Sequence, residues 1–108
     1  MNFKKSLKVA MAILIFVCPI LAKAETVWID VRSEAEHKIN NIQSNILIPH
    51  LQIVSDVSKL FPDQETEIRL YCRSGVRAEI AKSALIKAGY KNVFNEGSIE
   101  DARKIQKN

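Results

Sequence analysis

The segment Cys72–Arg77 places a cysteine at the point where a strand is expected to end and a helix to begin. It follows an apolar run, Ile68–Tyr71, and a helical pattern begins near Ala78. Gly75 permits a positive φ, so this short connection can curl and leave the backbone N–H groups of residues 73–77 facing an anion. Such groups at a helix N-terminus lower the pKa of a thiol. The segment therefore predicts a strand–loop–helix unit that carries an anionic sulfur atom.

Strand patterns alternate with helical patterns along the rest of the chain. Ser33 and Glu36 have the spacing of a capping box, and Gly89 follows a helical pattern as a C′ residue. We therefore expect one α/β domain with a mainly parallel sheet flanked by helices on both faces. The expected strands are Thr26–Val31, Asn45–Ile48, Thr66–Tyr71 and Asn92–Phe94; the helical stripes contain Ile53, Val57 and Leu60, then Ala81, Ala84, Leu85 and Ala88, with a last short helix over Ile99–Lys104.

The first 24 residues have the pattern of a secretory signal peptide. Three lysines precede an uncharged run, Val9–Ala22, that is shorter than the roughly 20 apolar residues of a membrane span. Ala22 and Ala24 are small residues at the two positions that a signal peptidase reads. We expect a signal peptide over residues 1–24, one domain over residues 25–108, and an exported monomer that meets the membrane only through its leader.

The net charge of the expected mature chain is near zero. Of the 16 Lys and Arg residues, four lie in the expected signal peptide, so 12 basic residues balance 12 acidic ones. No basic stripe remains that would favour a nucleic acid as partner. The second cysteine, Cys18, leaves with the leader, and Cys72 stays alone. Because exported proteins normally use cysteines in pairs, a lone thiol indicates a chemical role.

Cys72 is the predicted nucleophile. A free thiol has a pKa of about 8.5, and we expect a helix N-terminus and two nearby arginines to lower it by about one to three units. Arg73 is expected to face solvent and substrate. Arg77 is expected to clamp the loop through a carboxylate such as Asp30 or Glu96. Substrate binding is predicted for the residues that complete the loop, namely Arg73, Ser74, Gly75, Val76 and Arg77.

These motifs resemble those of the rhodanese-like sulfurtransferases. The pattern Cys-x-x-Gly-x-Arg after a strand resembles the active loop of that family, and Ile29–Arg32 resembles its Asp-x-Arg strand motif. By this resemblance, Asp30 and Arg32 are supporting residues. The similarity spans about Val27–Arg103. With a leader and a single domain, the chain is most similar to the periplasmic phage-shock-protein E group, which implies a periplasmic protein.

The resemblance implies a thiosulfate sulfurtransferase. The Cys72 thiolate would attack the outer sulfur of thiosulfate, release sulfite and keep a persulfide, whose sulfur then passes to cyanide or a small thiol. The loop N–H groups and arginines would stabilise the anionic species. The resemblance implies a reaction that needs no metal or organic cofactor.

Four other functions are alternatives to this one. A rhodanese-like domain can also act as a persulfide carrier or binding module with little turnover, and that alternative stays open. Phosphatases and arsenate reductases with a related loop have one more residue between cysteine and arginine, so they are less favoured. A Cys–His hydrolase would need His37 or His50, but no pattern orients either towards Cys72. Thioredoxin-type chemistry needs a second cysteine.

Overall fold

A computed structural model describes residues 25–107 of the 108-residue chain. The expected signal peptide and its cleavage point after Ala24 lie outside the described residues. A short 3-10 helix, His50–Gln52, precedes the second α-helix. The strands are β1 (Thr26–Asp30), β2 (Ile46–Leu47), β3 (Glu67–Cys72) and β4 (Asn92–Ser98), and the helices are α1 (Glu34–Ile39), α2 (Ile53–Leu60), α3 (Val76–Lys87) and α4 (Ile99–Lys107).

The four strands form one parallel sheet in the order β2-β1-β3-β4. β1 and β3 are the central strands, and Asp30 pairs with Tyr71, so the carboxyl ends of both strands meet at one edge. Ligands of parallel α/β sheets bind beyond this edge. The predicted single α/β domain with a mainly parallel sheet is therefore confirmed, and its topology brings Asp30 close to Cys72.

Helices cover both faces of the sheet. On one face, α2 and α3 bury Val57, Ala81 and Leu85 against the apolar side chains of β1 and β3. Alanines on this side of α3 let the helix approach the sheet closely. On the other face, α4 packs Ile99 and Ala102 in a second cluster. Burial of each large aliphatic side chain contributes about 1.5–3 kcal/mol.

Several elements begin or end at residues other than the predicted ones. Leu60 is 58% exposed because α2 ends at that residue, and Ala88 is exposed at the C-cap of α3. α3 begins at Val76, earlier than the expected start near Ala78. β4 continues to Ser98, beyond the expected end at Phe94.

Among residues 25–107, no helix has both the length and the apolar character that a membrane span requires.

Candidate active site

Cys72 is the last residue of β3 and is almost fully buried, with 1% of its surface exposed. Gly75 follows it as the N-cap of α3, with φ +100°, a left-handed conformation that glycine adopts without the steric cost of a Cβ atom. The sulfur therefore lies at the junction of β3 and α3, where the N-terminal N–H groups of the helix are free of intrahelical partners. The expected strand–loop–helix unit is confirmed.

Backbone N–H groups surround the Cys72 sulfur. The Gly75 N–H donates to Sγ at 2.9 Å. Burial raises the pKa of the Cys72 thiol, but hydrogen bonds from the N–H groups of Ala78, Gly75, Ser74 and Arg77 outweigh burial, and the pKa is lowered overall. The N–H groups that favour the thiolate therefore extend to Ala78, one residue beyond the predicted segment, and that of Gly75 makes the direct hydrogen bond to Sγ. It supplies the positive field that a thiolate requires.

Arg77 is held by Glu36 of α1. Its Nη1 and Nη2 atoms donate to Oε1 and Oε2 of the carboxylate at 2.8 and 3.0 Å. The hydrogen bonds from Arg77, with those from Ser33, hold the pKa of Glu36 well below its usual range. The predicted partners Asp30 and Glu96 are wrong, because both carboxylates bind other arginines. Glu36 lies 41 positions away in sequence, too far for a local pattern to connect the pair.

Asp30 is a fully buried carboxylate at the end of β1. Arg32 donates to it from its backbone N–H, Nε and Nη2 at 2.8–2.9 Å, and Nδ1 of His37 lies 2.9 Å from Oδ2. Burial raises the pKa of Asp30, but these hydrogen bonds outweigh it and the pKa is lowered. Arg32 also donates to the carbonyl oxygen of Asn40. The pair fixes the segment between β1 and the end of α1, which fits a supporting position.

Two residues that contact the loop were not predicted from the sequence as part of the site. One is Glu36, which was recognised only as a capping residue. The other is Asn95 of β4, whose side chain donates to the carbonyl oxygen of Gly75. The only local signal for Asn95 is the spacing Asn-x-Gly at 95–97, which is typical of a turn closed by the asparagine side chain. That pattern gives no indication that the turn lies beside the cysteine loop.

Two open cavities flank the loop. The smaller, of about 300 Å³, is lined by Arg73 together with residues of α1 and α4. The larger, of about 660 Å³, is lined by Ser74, Gly75 and Val76 with residues of α3 and β4. Cys72 itself lines neither cavity. Of the five residues predicted to bind substrate, Arg73, Ser74 and Val76 are exposed, whereas Gly75 and Arg77 are half-buried.

Arg73 has a free guanidinium within the described part of the chain. It forms no hydrogen bond or ion pair with any other residue of 25–107, whereas both terminal nitrogens of Arg77 donate to Glu36. An exposed, unpaired guanidinium can bind an oxyanion through two parallel hydrogen bonds. No group of three or more His, Cys, Asp or Glu side chains within residues 25–107 is arranged to hold a metal ion.

Comparisons with known proteins agree with this geometry. The family described as "Rhodanese-like domain" matches residues 20–104. A rhodanese from E. coli, solved with anions, is 30% identical, with a TM-score of 0.67, and the match covers 70% of this chain and 89% of that one. A single-domain sulfurtransferase of Saccharomyces cerevisiae is 25% identical, with a TM-score of 0.59 and 79% of each chain covered.

Curated relatives include a tRNA uridine(34) hydroxylase of Yersinia enterocolitica, 33% identical over 88 residues. The match covers 76% of this chain but 25% of the relative, so the chain spans about a quarter of the length of the curated relatives it matches. The region matched by the family contains β1 to β4 and the Cys72–Arg77 loop. The chain therefore belongs to the family of rhodanese-like domains.

Proposed function

We propose that this protein is a thiosulfate sulfurtransferase that transfers sulfur through a persulfide on Cys72. The observation that carries the proposal is the ring of backbone N–H groups around Sγ, which favours an anionic sulfur at the end of β3. Family membership and the sulfurtransferases among the similar structures support an enzyme of the sulfurtransferase type.

The reaction has two displacement steps at sulfur. In the first, the Cys72 thiolate attacks the outer sulfur of thiosulfate and forms an S–S bond, while the S–S bond of thiosulfate breaks and its electron pair leaves with sulfite. In the second, cyanide or a small thiolate attacks the outer sulfur of the persulfide. Cys72 then leaves as a thiolate, and the product is thiocyanate or a new persulfide. The loop N–H groups stabilise the anionic sulfur in both steps.

The two arginines have different roles in this proposal. Arg73 binds the sulfonate oxygens of thiosulfate, because its guanidinium is exposed and unpaired among residues 25–107. Arg77 acts through the loop, because both of its terminal nitrogens are bound to Glu36. Exposed Ser74 and Val76 form the adjoining rim. Asp30 and Arg32 support this edge from below the surface.

Intact mass spectrometry after incubation with thiosulfate tests the first step. We expect the mass of one added sulfur atom, its release by cyanide, and no addition in Cys72→Ser. Serine is nearly the same size as cysteine and can accept the Gly75 hydrogen bond, so this variant is expected to fold. Absence of the added sulfur in the reduced wild-type protein would contradict the proposal.

A persulfide carrier is the second candidate function. The observation that favours it is the 1% exposure of Cys72, which limits how easily a small acceptor reaches the sulfur. Steady-state turnover with thiosulfate and cyanide separates the two functions. Rapid thiocyanate production supports the enzyme, whereas a stable persulfide with slow turnover supports the carrier.

We further propose that the protein is a periplasmic monomer of the phage-shock-protein E group. The lysines, apolar run and Ala22–Ala24 pattern of the first 24 residues support export. N-terminal sequencing of protein from a periplasmic extract is expected to begin at Glu25, and light scattering to give the mass of one chain. Retention of the full chain in the cytoplasm would contradict export.

We do not propose tRNA hydroxylation for this chain, because the Yersinia relative extends far beyond the matched region.

A further inference from the structure

Asn95 connects β4, α3 and the cysteine loop through its side-chain amide. Nδ2 donates to the carbonyl oxygen of Gly75 and to Oε1 of Glu79, both at 3.0 Å. Oδ1 accepts from the backbone N–H of Gly97 at 2.9 Å. Both protons of the amide and its oxygen are therefore in use. A carbonyl oxygen on one side and an N–H on the other leave only one orientation of the amide that satisfies every partner.

A bulge in the sheet brings Asn95 to this position. Asn95 pairs with Leu70, but the next pair joins Ser98 to Cys72, so β4 contains one more residue than β3 over this stretch. Such a bulge bends its strand and redirects a side chain. The turn also comes into direct contact with the loop, since a Cβ atom on Gly75 would lie 3.5 Å from Cα of Gly97.

Gly75 is the residue of the loop that most needs an external restraint. Its φ of +100° and its lack of a side chain allow several backbone conformations, only one of which directs its N–H at Sγ of Cys72. Its carbonyl oxygen accepts from Glu79 N at 3.0 Å, the first hydrogen bond of α3, and from Asn95. The helix restrains this carbonyl from one side only, and Asn95 restrains it from the sheet.

We propose that Asn95 is a positioning residue for the Cys72 thiolate. By fixing the carbonyl group of Gly75 to β4, it holds the first turn of α3 in the orientation that directs the N–H groups of Gly75, Arg77 and Ala78 at Sγ. The importance of this orientation for persulfide chemistry rests on the proposed function. Its effect on the pKa of the Cys72 thiol does not depend on that function.

Two substitutions separate this role from a structural role in the β4 turn. Asn95→Asp keeps the acceptor for the Gly97 N–H, and aspartate closes such turns as well as asparagine does. It replaces the donor with an oxygen that faces the Gly75 carbonyl oxygen and the Glu79 carboxylate. Asn95→Ala removes both interactions. Asn92→Ala is the matched control, because Asn92 lies on the same strand and donates to the carbonyl oxygen of Glu65, away from the loop.

The readout is the rate of Cys72 alkylation by iodoacetamide across pH, which gives the thiol pKa independently of any sulfur donor. We expect Asn95→Asp and Asn95→Ala to raise that pKa and to slow alkylation near neutral pH by at least about threefold. Asn92→Ala is expected to match the wild-type profile. Circular dichroism verifies folding of each variant. Aspartate also adds a negative charge that by itself raises the thiol pKa, so an unchanged pKa in the uncharged Asn95→Ala would overturn the proposal.

An alkylation profile of Asn95→Asp that coincides with that of wild type would overturn the proposal. The hydrogen bond from Nδ2 to the Gly75 carbonyl oxygen would then have no effect on the thiol. An equally large shift of the thiol pKa in Asn92→Ala would also overturn the proposal. The shift would then result from general destabilisation of the protein and not from loss of the Asn95 contact. Mass spectrometry with thiosulfate separates this proposal from the proposed function. If wild type forms no persulfide while Asn95→Asp and the uncharged Asn95→Ala both raise the thiol pKa, the sulfurtransferase proposal fails and the positioning role stands.

Discussion

Glu36 of α1 binds Arg77 of α3 through two parallel hydrogen bonds of 2.8 and 3.0 Å. The same carboxylate accepts from the backbone N–H and the hydroxyl of Ser33 at the N-terminus of α1. One side chain therefore caps a short helix and anchors the residue whose N–H faces Cys72. The ends of two helices that are distant in sequence become one unit beside the sulfur.

This ion pair makes stability depend on pH. The pKa of Glu36 is lowered in the folded state, chiefly by the hydrogen bonds from Arg77, so its contribution is present above the unfolded-state pKa of 4.5 and is lost as pH falls through the folded-state pKa. We expect Glu36→Gln to reduce the free energy of unfolding by about 1 kcal/mol at neutral pH. The difference between variant and wild type should shrink below about pH 4.5. Urea unfolding across pH measures it.

Glu65→Gln is the control for this experiment. Glu65 pairs with Lys91 at 3.3 Å, but both side chains are more than half exposed, and solvent screens such pairs. Its substitution is expected to change the free energy of unfolding by a few tenths of a kcal/mol at most. A Glu36→Gln effect as small as that of Glu65→Gln would show that the Arg77 pair contributes nothing measurable.

The sequence led us to expect that Arg73 lowers the thiol pKa, but the structure favours a role for Arg73 on the substrate more than on the thiol. The hydrogen bonds that lower the pKa of Cys72 come from backbone N–H groups, which Arg73→Ala leaves in place. We therefore expect this variant to lose about tenfold in kcat/KM for thiosulfate, chiefly through KM, with little change in the alkylation profile. Arg73→Lys should recover part of the loss. An unchanged KM together with a raised thiol pKa would show instead that Arg73 stabilises the Cys72 thiolate.

Local patterns predicted the parts of the site that depend on neighbouring residues. Ser33 and Glu36 are three positions apart and form the expected capping box. Gly75 and Gly89 have the positive φ that their places at helix ends require. The strand that ends at Cys72 and the helix after it follow from a change in apolar period. In each case the physical cause lies within about one helical turn of the residue it determines.

Contacts that depend on the order of the strands could not be predicted in the same way. Arg77 was expected beside Asp30 or Glu96, both of which could approach it in a parallel sheet. The sequence pattern does not give the position of α1 relative to α3. That position determines that Glu36, and not Asp30 or Glu96, pairs with Arg77. The contact from Asn95 to the Gly75 carbonyl group needs a one-residue bulge in β4, and no local signal in the sequence marks that bulge.

The buried Asp30–Arg32 pair is expected to support the fold and not the chemistry directly. Asp30→Asn would leave the guanidinium of Arg32, which is 5% exposed, without a counter-charge. We expect a loss of about 3 kcal/mol in the free energy of unfolding, measured in urea at neutral pH. Asp63→Asn is the control, because Asp63 is exposed and its side chain accepts one backbone hydrogen bond, from Glu65. Equal effects of the two substitutions would contradict the supporting role of Asp30.

Gly75 and Gly89 offer a matched test of what the loop conformation does. Both have a positive φ, +100° and +106°, so alanine at either position costs about 1–2 kcal/mol in backbone strain. A Cβ atom on Gly89 would also displace the side chain of Gln64, whereas one on Gly75 meets only ordinary contacts. We therefore expect Gly89→Ala to be at least as destabilising as Gly75→Ala in urea unfolding.

Only Gly75→Ala is expected to change the chemistry of Cys72. Relief of its strain rotates the peptide groups that direct N–H donors at Sγ, so the thiol pKa should rise and persulfide formation from thiosulfate should slow. Gly89→Ala leaves those donors in place, because Gly89 lies at the opposite end of α3. If the two variants lose similar stability but keep the same alkylation profile, Gly75 serves only to start the helix. A pKa shift confined to Gly75→Ala would assign the left-handed conformation to control of the thiolate.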